Sequence, residues 1–161
     1  MNEKTTVSPV RITWAGLLAG LGGNALLGLL FTSPPVKAVL FNPAWQSPRF
    51  IELAAQRNVP VSVLGLVALS VPLAWLFVRL QAAMPGRTWR GRGLFWGLAI
   101  WLMYWLPQEW FIYHTLIGEP LALCGLELLL LLAGALVQGL ILAGLLREER
   151  RPAVGLATGG R

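Results

Sequence analysis

Charge is scarce in this chain. Only 12% of its 161 residues are Asp, Glu, Lys or Arg, against about 25% in a soluble domain. Cysteine and histidine are scarcer still. A single Cys124 excludes an intrachain disulfide and any CxxC redox or zinc motif. A single His114 excludes bis-histidine haem ligation and an HExxH metal site. No GxSxG nucleophile turn occurs. The run GLGG at 20–23 sits inside an apolar stretch rather than after a strand, so it is no phosphate loop. No strand pattern is evident. These absences lean against an enzyme, argue for no metal, and leave any cofactor unknown.

What is abundant is apolar. Hydrophobic residues make up 56%, with a mean hydropathy of +0.65. Spanning a bilayer takes about 20 apolar residues, and four segments reach that length: 11–31, 61–80, 94–117 and 120–146. The expectation is an all-α integral membrane protein with four transmembrane helices, a bundle of two hairpins, over residues 11–146. The first run is too long for a signal-peptide core, and TSPPVKA after it is a poor cleavage site, so it is expected to stay in place.

The net charge is +6. Because the basic residues flank apolar runs, the partners expected are the lipid bilayer and anionic headgroups at the cytoplasmic face, not nucleic acid. Lys4, Arg11, Arg79, Arg87, Arg90, Arg92, Arg147, Arg150, Arg151 and Arg161 fall on one side of the threading, and only Lys37, Arg49 and Arg57 on the other. That bias sets residues 1–10, the 81–93 loop and a basic, disordered tail at 147–161 in the cytoplasm, as in a bacterial cytoplasmic membrane. The 32–60 loop then faces outward. SPP at 33–35 and SPR at 47–49 each pair an N-cap serine with proline in a first helical turn. One or two short interfacial helices are expected there, anchored by Trp45 and Phe50, or else forming a lid over the bundle.

Small residues recur every fourth position in Gly16, Gly20, Asn24 and Gly28, and in Ala135, Gly139 and Ala143. In lipid such stripes mark helix seams, within the bundle or between protomers. Asn24 and Gln138 are expected to hydrogen-bond across seams. WAG at 14–16 and FWG at 95–97 open the first and third segments, a faint hint of a hairpin repeat. Pro72 and Pro107 interrupt the second and third.

The most specific feature is acidic. Glu109 precedes Gly118 by nine residues and Glu127 follows it by nine. Two antiparallel helices joined at Gly118-Glu119-Pro120 would carry both carboxyls about 12–14 Å below the turn. Ionised groups at such depth are costly and tend to face the bundle interior. Glu109 and Glu127, with Gln108 and His114, are therefore the candidate ligand- or proton-binding residues. On an α-helical wheel His114 lies about 140° from Glu109, which favours an interfacial role. Trp101, Tyr104 and Trp105 sit mid-segment, where they either line a site or pack against glycine. Three functions compete. One is a site that binds or transports a proton, cation or small amine. Another is an accessory subunit in a homo-oligomer or larger membrane complex. The weakest is an embedded redox or metal enzyme.

Overall fold

The computed structural model describes residues 7–147. The calls on Lys4, Arg150, Arg151, Arg161 and most of the basic tail lie outside the described residues. Among those described, every element is helical: α1 (Pro9–Thr32), α2 (Pro34–Leu40), α3 (Pro48–Gln56), α4 (Val59–Leu80), α5 (Trp89–Ile100) and α6 (Leu121–Leu145). Prolines begin α1, α2 and α3, where a missing N–H costs nothing. The Ser47 hydroxyl accepts from the Phe50 amide, Asn58 from Val61, and Thr88 from Gly91, capping α3, α4 and α5. Among these, α1, α4 and α6 are each long and apolar enough to cross a membrane.

The expected third span at 94–117 is not one α-helix. Beyond Ile100 the rod continues as π-helix over Trp101–Trp105 and Gln108–Ile117. The Leu106 amide donates to the carbonyl of Trp101, five residues back. Pro107 supplies the physical reason. In an α-helix its ring would clash with the Met103 carbonyl four residues before it. Opening the turn to five residues moves that carbonyl aside. Gly118, at φ 78°, then ends the rod in the left-handed conformation that glycine adopts without steric cost.

The helices form a row in which α1 packs on α4 and on α6, and α6 also packs on α5. Small residues allow the close approach. A Cβ added to Gly16 would lie 2.8 Å from the Ser70 carbonyl of α4, and one on Gly97 would lie 2.5 Å from the Ala135 carbonyl of α6. Gly23 faces Gln138 and Gly134 on α6. The Ala135, Gly139 and Ala143 stripe meets α5 within the chain, at Gly93 and Gly97. The upper members of the α1 stripe behave differently, since Gly28 has no neighbour within 4 Å of its Cβ position.

Two sets of contacts fix the ends. Arg11 donates to the Leu145 carbonyl through Nε at 3.1 Å and Nη2 at 2.8 Å, capping the end of α6. At the opposite end the Ser47 hydroxyl donates to the Ile117 carbonyl at 2.9 Å and Arg49 to that of Leu116 at 3.1 Å. α3 is thereby pinned over the turn between the π-helical rod and α6. Phe50 is buried against Tyr113, ring centroids 6.1 Å apart, so it anchors inward. Trp45, by contrast, is exposed.

Candidate functional site

At the α3 end, α4 and the π-helical rod stand apart and leave a cavity of about 430 Å³. α1 forms its back wall with Asn24, Leu27, Gly28 and Phe31. α4 supplies Val59, Val63 and Leu66 on one side. The opposite side is Trp105, Gln108, Glu109 and Tyr113 from the rod, with Glu127 and Leu131 from α6. Lys37, Phe41, Phe50 and Arg57 close it from α2, α3 and the residue after α3. The short helices of the 32–60 loop thus form a roof over the site as well as packing on the bundle.

Trp105, Glu109 and Tyr113, four residues apart along the rod, share one face and all reach the cavity. Glu109 is only 3% exposed and Glu127 9%. Both carboxyls line the same cavity, Glu109 from the rod and Glu127 from α6. Glu109 Oε2 is buried with no hydrogen-bond partner. An unpaired buried acceptor is costly and rare, and marks a place where a donor is missing.

A cation does approach this pair, and it comes from the loop rather than from a span. Arg57 lies near enough for its charge to act on Glu109, Glu127 and the Tyr113 hydroxyl. Spacing along the spans could not reveal it, because the 32–60 loop places it by tertiary folding.

The other candidates divide. Gln108 lines the cavity beside Glu109. Asn24 also lines it, yet its amide donates to Gly20 of its own helix at 2.8 Å instead of crossing a seam. Gln138 does cross, donating to the Ser70 hydroxyl of α4 at 3.0 Å, below the cavity. Of the three aromatics, only Trp105 lines the cavity. Tyr104 packs edge-on against Trp105 with centroids 4.7 Å apart. The Trp101 indole N–H donates to the Leu128 carbonyl of α6 at 2.8 Å. His114 lies outside the cavity and donates from Nδ1 to the Glu119 carbonyl at 2.8 Å, bracing the turn. Glu119 itself is buried there, with Oε2 unpartnered. Burial, and then the negative charge of Glu127, push its carboxyl up to about 7. Among the described residues no group of three or more His, Cys, Asp or Glu side chains is placed to hold a metal ion.

Comparison with protein-family models, curated proteins and solved structures gave no match. The reading of the site therefore rests on its own chemistry.

Proposed function

We propose that this chain is a four-span membrane protein, in which α5 and the π-helical rod form the third span, with both termini in the cytoplasm. The roofed cavity then opens to the outer leaflet and binds a small amine-bearing ligand. One observation carries the reading: a buried carboxyl pair, with an acceptor oxygen left over, lines a cavity whose other lining is mostly aliphatic and aromatic. A primary ammonium offers three donors and a positive charge to such a pair. Its alkyl body suits Val59, Val63, Leu66 and Phe31. A bare proton or metal ion would leave that apolar volume without a purpose.

The experiment is a calorimetric titration of the detergent-solubilised protein with hexylamine. Saturable binding that Glu109→Gln/Glu127→Gln abolishes, with helix content retained, is the expected result. Equal binding by both proteins removes the proposal.

A second reading has its own observation. α4 packs mainly on α1 and exposes Val61, Leu64, Leu69 and Leu76. Such a helix also suits an accessory subunit whose open side meets a larger membrane complex or a second copy. The two readings are compatible, since the cavity lies between α4 and the rod.

A further inference from the structure

The roof of the cavity carries the opposite charge to its wall. Lys37 of α2 and Arg57 after α3 both line the cavity, and both side chains are exposed at its rim. The Glu109 and Glu127 carboxyls and the Lys37 and Arg57 cations thus line one cavity. An amine alone would satisfy the wall and leave two rim cations facing it uncompensated. Charges this close to an apolar, poorly screened interior interact strongly, so the missing anion belongs with the missing donor.

We infer that the ligand is an aminophospholipid headgroup, with its ammonium on Glu109 and Glu127, its phosphate on Arg57 and Lys37, and its chains against the apolar walls. This deepens the amine-site reading and rests on it. Arginine suits the phosphate because its planar fork pairs two oxygens at once, while lysine adds a point charge. The headgroup carries its ammonium and phosphate on one short linker, and the acidic wall and basic rim belong to one cavity. The chains have an exit, because α4 packs on α1 and leaves the side toward the rod open. A primary ammonium is specified over a quaternary one. Glu109 Oε2 needs an N–H donor, and a trimethylated nitrogen has none.

Native mass spectrometry of the delipidated full-length protein tests this with dihexanoyl-phosphatidylethanolamine, dihexanoyl-phosphatidylcholine, dihexanoyl-phosphatidylglycerol, free phosphoethanolamine and hexylamine. The ethanolamine lipid is expected to bind about tenfold more tightly than each of the others, the worth of one charge-assisted hydrogen-bonded contact. Lys37→Gln/Arg57→Gln should remove the lipid's advantage over hexylamine. Glu109→Gln/Glu127→Gln should abolish both. Both rim residues are exposed, so their exchange leaves the fold intact, and circular dichroism checks this. If hexylamine and the ethanolamine lipid bind equally and the rim variant changes neither, the headgroup inference is overturned while the amine site stands. Preference for the glycerol lipid, or equal binding of the choline lipid, also overturns it. If free phosphoethanolamine matches the lipid, the lipid assignment falls and a soluble phosphoamine takes its place. If neither amine nor lipid binds, the amine-site reading itself fails.

Discussion

Replacing Glu109 by glutamine keeps its shape and removes its charge. Glu109→Gln should lower hexylamine affinity by about tenfold or more, since charge-assisted bonds are among the strongest polar contacts. The same change removes a buried acid with an unpaired oxygen. Melting temperature in detergent should therefore stay level or rise, because desolvating an acid without full pairing opposes folding. A residue held only for structure would show the reverse pattern. Glu119 makes a separate pH prediction. Its unfolded carboxyl releases its proton near 4.5, whereas the folded one keeps it to about 7. Between those values the folded state binds more protons, so stability falls as pH rises from 4.5 to 7 and levels above. The groups facing it are Glu127, Glu109, the Cys124 thiol and the His114 ring on its carbonyl. Glu119→Gln should flatten this part of the slope and melt higher than the wild type at pH 8. Thermal melts of both proteins at pH 5 and pH 8 measure the difference. At this scale the acids at 109 and 127 were legible, because equal distance from a tight turn sets equal depth. Arg57 was not, because no local pattern places a loop cation over a distant pair.

Among the elements, the π-helical rod departs most from what a helical wheel conveys. At 100° per residue, Glu109 and its neighbours point in directions the real rod does not use. Pro107→Ala should remove the cause of the widened turn and turn Glu109 away from the cavity. Hexylamine binding should drop by about tenfold with far-UV dichroism unchanged, since α and π geometry give similar spectra. The stripe Gly16 to Gly28 was read as one seam. Its first half is a seam against α4, and its second half, with Asn24, is cavity wall. Residue size alone does not distinguish close helix approach from open space. The WAG and FWG stretches share more than letters, since Gly16 and Gly97 each seat against a carbonyl of the next long helix. Gly97→Leu should separate α5 from α6 and lower the melting temperature by several degrees, the cost of overpacking a close seam.

For the whole molecule, the helical class and the long apolar helices were legible from hydropathy. The broken third rod was not, because composition carries no information on turn width. The contacts at the ends gather Arg11 with the end of α6, and α3 with the turn at Gly118. The start of α1 and the end of α6 therefore lie at one end of the bundle and the roof at the other, and the proposed orientation rests on the basic bias. In a Cys124→Ser background, Arg49→Cys should react with an impermeant maleimide on intact cells, and Arg87→Cys only after permeabilisation. The opposite pattern would invert the topology and place the cavity in the inner leaflet.

The presence of an amine against the carboxyl pair can be read covalently. A membrane-permeant carbodiimide activates a protonated carboxyl, and a bound primary amine then displaces the urea to form an amide. With hexylamine present, peptide mass mapping should find a saturable amide on Glu109 or Glu127. Exposed Glu52 would react without saturation. Amide formation confined to exposed glutamates, with Glu109 and Glu127 unmodified at every amine concentration, would contradict the account.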